Sequence, residues 1–197
     1  MIEAIRAHLQ MSADVCTQMA DDLAEPTARA ARVLIEAVRA RHTVYVCGDG
    51  GSAGQAQHIA GEFIGRFLKE RPALPCVALT TDTSVLTAIA NDYDFEDVFA
   101  RQVEALVEEG DVLWVLSTSG NSANVLKAAS LARKRGAKVL GMAGRDGGKL
   151  KELADVALCV PADSSPPIQE GHLVLIHILC GLVEQGAFAE AAPEEQD

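Results

Sequence analysis

The chain has 197 residues, 49% of them hydrophobic and 4% aromatic, with 17 Lys and Arg against 28 Asp and Glu for a net charge of −11. That length suits one domain, whose core must be built mostly of Ala, Val, Leu and Ile. The acidic balance argues against non-specific nucleic-acid binding and against an anionic membrane surface, since both need Lys and Arg to meet phosphates.

Residues 2–23 read as a helix, with Ile2, Ile5, Leu9, Val15 and Met19 among polar neighbours. The segment has no long apolar h-region, so it is not a signal peptide. Pro26 and Thr27 open a second helix over 27–40, carrying Val33, Leu34, Ala37 and Val38. An alternation follows. Short apolar strands at 44–47, 76–79, 112–117, 137–143 and 156–160 are separated by helical stretches at 53–68, 83–90, 95–108, 122–135 and 147–153. A long apolar helix covers 168–186, and the last residues, AAPEEQD, read as a frayed tail. No apolar run reaches the length of a membrane span. The five cysteines (Cys16, Cys47, Cys76, Cys159, Cys180) are widely spaced without a C-x-x-C, which fits reduced thiols in a cytoplasmic protein.

Strands without polar alternation, separated by helices, predict an α/β three-layer sandwich. Its five-stranded parallel sheet has the flavodoxin-like order 2-1-3-4-5, helices on both faces and an N-terminal helical extension. Such a sheet binds ligands beyond the carboxyl ends of its strands, at the switch point between strands 1 and 3. The two most loop-like polar stretches follow those strands: GDGGSAG at 48–54 and STSGNS at 117–122.

The first stretch fits the dinucleotide fingerprint G-x-G-x-x-A through Gly48, Gly50 and Ala53. That reading also wants an acidic residue closing strand 2, where Asp82 stands far from the glycines, and it has no use for a second cradle after strand 3. In the second stretch Ser117, Thr118, Ser119 and Ser122 lead into a helix whose N-terminus offers unpaired N–H groups, an arrangement suited to a phosphate monoester. Simple helix capping by Ser122 or Asn121 is the competing explanation.

Three ionisable residues, His58, Glu62 and Arg66, recur every four positions after the glycine turn, among Ala, Gly and Ile. An ordinary solvated pair would have more Lys, Glu or Gln around it. In the last helix His177 sits among aliphatic residues. Helical phase places Gln169 about 80° from it and His172 about 140° away, so Gln169 can share its site. Imidazole, carboxylate and amide from His58, Glu62, Gln169 and His177 make a set that favours Zn²⁺.

GDGGSAGQAQHIAGEFIGRF, LTTDTSVLTAIANDYDFEDVF, STSGNS and IQEGHLVLIHILC together resemble the phosphoheptose isomerases of the SIS-domain superfamily, from the N-terminal helices to the last one. The resemblance implies a single SIS domain over 1–197: oligomerisation helices at 1–40, an α/β core at 41–190 and a flexible tail at 191–197. It implies interconversion of sedoheptulose 7-phosphate and D-glycero-D-manno-heptose 7-phosphate through an enediol, the first step toward the ADP-heptose of lipopolysaccharide or other heptose glycans. It further implies a cytoplasmic homotetramer with sites shared between subunits. By position, Gly50, Gly51, Ser52, Asn91, Asp92 and Gln169 line the substrate, and Ser117, Thr118, Ser119 and Ser122 hold its phosphate. Glu62 is the catalytic base, His177 its acid–base partner, and His58, Glu62, Gln169 and His177 hold zinc where the metal is found. The family commonly has Asn where this chain has Asp49. A non-catalytic SIS protein, binding the replication initiator or sensing a sugar phosphate, is the alternative. Glu62 and His177 favour catalysis.

Overall fold

The structure is a computed structural model, and it describes residues 1–188. Five parallel strands, β1 (Val44–Gly48), β2 (Cys76–Ala78), β3 (Val112–Ser117), β4 (Lys138–Gly144) and β5 (Val156–Val160), form one sheet in the order β2-β1-β3-β4-β5. Gly48 at the end of β1 pairs with Leu116 near the end of β3. The turns that follow these strands therefore emerge side by side.

Side chains alternate between the two faces of the sheet, and each face has its own core. Val44, Val46, Trp114, Leu116, Leu140 and Met142 pack under α1 (Ile2–Arg39), α2 (Gly51–Ile64) and α7 (Ser165–Ala187). Tyr45, Cys47, Leu113, Val115 and Val139 pack under α3 (Thr83–Asp92), α4 (Ala100–Leu106), α5 (Ala123–Lys134) and α6 (Gly148–Leu153). With helices on both faces, the strands carry no polar alternation: every residue of β1 and β3 is buried.

The two expected N-terminal helices are one helix of 38 residues with Pro26 inside it. Proline removes one backbone donor and crowds the preceding turn. The helix continues because its buried stripe does not stop there: Val15, Met19, Leu23, Thr27, Ala30 and Leu34 all face the body of the protein. Two further expectations need correction. The helix expected at 53–68 ends at Ile64, with Gly65 as its C-cap, so Arg66 falls outside it. The helix expected over 95–108 is a 3₁₀ turn at Phe95–Asp97 followed by α4.

α7 is, by length and composition, apolar enough to cross a membrane, contrary to the expectation that no run reaches that length. Half of its most apolar window is buried inside the protein, and it carries Gln169, Glu170, His172, His177 and Glu184. Those features fit a core helix. The tail at 191–197 lies outside the described residues.

Candidate active site

The glycine turn is shaped by one left-handed residue and two close approaches. Gly50 has φ +56°, a left-handed conformation that glycine adopts without strain. A Cβ on Gly48 would stand 2.8 Å from the Leu116 carbonyl oxygen, and one on Gly51 2.6 Å from Gln169 Nε2. The amide of Gln169 therefore lies directly over the turn. Gln55, one turn into α2, donates from Nε2 to the Gln169 carbonyl at 2.7 Å, while its own Oε1 is buried without a partner.

α2 and α7 run side by side in the same direction, so their residues meet in sequence order. Gln169 meets Gly51 and Gln55, and further along His177 meets His58. The two imidazoles face each other with Nε2 atoms 3.3 Å apart, and His58 Nε2 is 3.0 Å from Glu62 Oε1. One ring nitrogen thus faces both a carboxylate oxygen and a second ring nitrogen. A shared cation, either a proton or a metal ion, satisfies that arrangement. The Glu62 side chain is 23% exposed, so it borders solvent without being awash in it. Phe67 covers the other side of His177, ring centroids 5.7 Å apart.

Across the switch point, Ser117 Oγ and Ser122 Oγ are 3.1 Å apart. Ser122 occupies the N-cap position of α5 but makes no side-chain cap bond, and Asn121 Oδ1 instead accepts from Lys149 N. Neither residue is a simple cap; the serine hydroxyls are turned toward each other. Ser119 is exposed, its Oγ accepting from Asn121 N. Thr118 Oγ1 lies 3.3 Å from Ser165 Oγ at the start of α7. Asn124 joins the two turns. Its Oδ1 accepts from Val125 N, which aims Nδ2 at Asp49 Oδ1, 2.8 Å away. Residue 49 must present an acceptor here, and an aspartate does so.

His172 takes no part. It is fully buried, with Nε2 donating to the Ala143 carbonyl, and burial pushes its pKa down to about 4. Asn91 and Asp92 close α3, exposed and hydrogen-bonded to each other at 2.8 Å. No hydrogen bond within the described residues joins them to His58, Glu62 or His177. The glycine and serine turns are thus joined through Asp49 and Asn124, the His58–Glu62–His177 group lies further along α2, and the pair from α3 stands apart. As they stand, the described residues form no cluster of three or more His, Cys, Asp or Glu able to hold a metal ion. Sequence reading missed Asn124, Arg71 and Glu184. Glu184, the one charged residue in the apolar stretch of α7 after His177, was the one signal available for them.

A five-stranded parallel sheet of this order, with a glycine turn after β1 and a serine turn after β3, makes this an α/β protein of the doubly wound class, and a SIS-domain model matches residues 7–144. The chain is 50% identical over 188 residues to the phosphoheptose isomerase of Geobacter sulfurreducens, covering 95% of this chain and all of that one. The structure of phosphoheptose isomerase GmhA from Neisseria gonorrhoeae superposes with a TM-score of 0.88 at 44% identity, covering 93% of this chain and 98% of the other. A phosphoheptose isomerase from Francisella tularensis gives 0.90 at 36% identity, with the same coverage. The chain belongs to the phosphoheptose isomerase family.

Proposed function

We propose that this protein interconverts sedoheptulose 7-phosphate and D-glycero-D-manno-heptose 7-phosphate as an aldose–ketose isomerase, early in heptose-glycan biosynthesis in the cytoplasm. The meeting of Glu62, His58 and His177 where α2 and α7 run side by side carries this reading. In it, the Ser117, Thr118, Ser119 and Ser122 hydroxyls and the open N–H groups of α5 hold the phosphate without net positive charge. Gly50, Gly51 and Ser52 let the backbone close around the sugar. The Glu62 carboxylate takes the proton from one carbon of the C1–C2 pair and returns it to the other. His177 moves the matching hydroxyl proton, giving an enediol between the two steps.

Zinc is part of the proposal. Two imidazoles, a carboxylate and the Gln169 amide are suitable donor types. The 3.0 and 3.3 Å separations around His58 Nε2 are close to the edge of a tetrahedral site with ordinary zinc bonds, about 3.4 Å. When bound, the ion would polarise the substrate's carbonyl oxygen. A homotetramer in which a neighbouring copy brings Asn91 and Asp92 to the site accounts for their isolation within one chain.

The alternative, a non-catalytic sugar-phosphate sensor, predicts binding without turnover. The test is purified protein incubated with sedoheptulose 7-phosphate. Heptose 7-phosphate formed by the wild type and lost in Glu62→Gln supports the isomerase; binding without product supports the sensor.

A further inference from the structure

Outside the site lies a buried ion pair that the chemistry above does not use. Arg71 and Glu184 have side chains only 5% and 3% exposed, with Arg71 Nε 3.3 Å from Glu184 Oε1. Charges removed from water at this depth are costly unless their remaining donors and acceptors are met. Here most are met by one segment, while Arg71 Nε has only its ion-pair contact with Glu184. Glu184 accepts from Phe67 N at 3.0 Å, Leu68 N at 2.9 Å and Lys69 N at 2.8 Å. Burial pushes its pKa up, but these three N–H groups and Arg71 outweigh that and leave it below the ordinary value. Arg71 donates from Nη2 to the Glu62 carbonyl and from Nη1 to the Phe63 carbonyl, each at 2.6 Å.

These contacts reach both proposed catalytic residues. A helix leaves its last carbonyl groups without partners, and Glu62 lies in the last turn of α2. Arg71 supplies the missing donors there. Glu184 lies seven residues beyond His177 on α7, about 20° around the axis, hence on the same face. The Phe67 N–H that it holds belongs to the residue whose ring rests against His177, and a Cβ on Gly181 would meet that ring at 3.4 Å.

We propose that Arg71 and Glu184 are positioning residues for the isomerisation: together they fix the backbone of Glu62 and press the Phe67 ring onto His177, setting the geometry of the acid–base pair. This rests on the assignment of Glu62 and His177 above. It separates the pair's effect from phosphate binding, which belongs to the 117–122 turn.

The test measures kcat and KM for sedoheptulose 7-phosphate in wild type, Glu62→Gln, Glu184→Gln, Arg71→Met, Arg71→Lys and Phe67→Leu. Thermal midpoints are recorded alongside, and rates are taken well below them. The expected result is a kcat at least tenfold lower in Glu184→Gln and Arg71→Met, with KM within twofold of wild type and partial recovery in Arg71→Lys. Phe67→Leu leaves the ion pair intact and covers the case in which the charge variants do not fold. It should keep its KM and most of its thermal midpoint yet lose kcat at least fivefold. Normal kcat in folded Glu184→Gln or in Phe67→Leu, with Glu62→Gln inactive, overturns the positioning role alone. Turnover by Glu62→Gln at close to the wild-type rate overturns the catalytic assignment and this proposal with it.

Discussion

Glu62 and His58 face each other at 3.0 Å on consecutive turns of α2, and His177 reaches the same ring nitrogen from α7. Their convergence from two helices separates them from a solvated surface pair. Glu62→Gln keeps the side chain's shape but removes the proposed base, so kcat should fall by roughly 10²–10⁴ while substrate still binds, as steady-state kinetics and calorimetry would show. Ser119 is predicted to act in binding alone. Removing one hydrogen bond to a charged phosphate should raise KM roughly tenfold in Ser119→Ala and leave kcat within about twofold. His172 makes a different prediction. Its neutral form is favoured in the fold, with a pKa of about 4 against 6.5. As pH falls through that window the unfolded chain takes up the proton first, so stability is lost on acidification, by up to about 3 kcal/mol near pH 4. His172→Gln can still donate to Ala143, and its urea midpoint should fall less steeply between pH 6.5 and 4.

The elements were readable because the strands are short apolar runs bounded by turn residues and the helices between them are amphipathic. Strand order followed from the flavodoxin-like choice, and the site followed from the switch point it implies. What failed did so where tertiary packing overrode a local signal. Pro26 marks a helix boundary in sequence, yet the stripe through Met19, Leu23, Thr27 and Ala30 carries α1 past it. Restoring the missing donor with Pro26→Ala should stabilise the fold by about 1–2 kcal/mol, read as a higher urea midpoint. The His58–Glu62–Arg66 stripe was cut at Gly65, which ends α2 and leaves Arg66 exposed, 3.9 Å from Glu70. The arginine that does act on α2 is Arg71, whose partner stands 113 positions further along the chain; helical spacing gives no view of such a pair.

At the scale of the whole molecule, the proposed site residues that the single chain leaves apart are as informative as those it joins. Asn91 and Asp92 are exposed on α3. An apolar groove between α1 and α7, lined by Met19, Leu23, Leu175, Ile178 and Leu182, also opens to the surface. Both features fit an assembly of several copies, and light scattering of the purified protein should give a mass near four chains. A monomer at micromolar concentration would contradict the shared-site reading. Zinc belongs to the same scale of evidence, since metal analysis of protein purified without chelator reads the whole population at once. The most direct test of the account is the isomerisation itself. Wild-type protein given sedoheptulose 7-phosphate should form D-glycero-D-manno-heptose 7-phosphate, and Glu62→Gln should form it at least about a hundredfold more slowly at the same enzyme concentration. A folded wild type that binds the sugar phosphate and yields no product would contradict it.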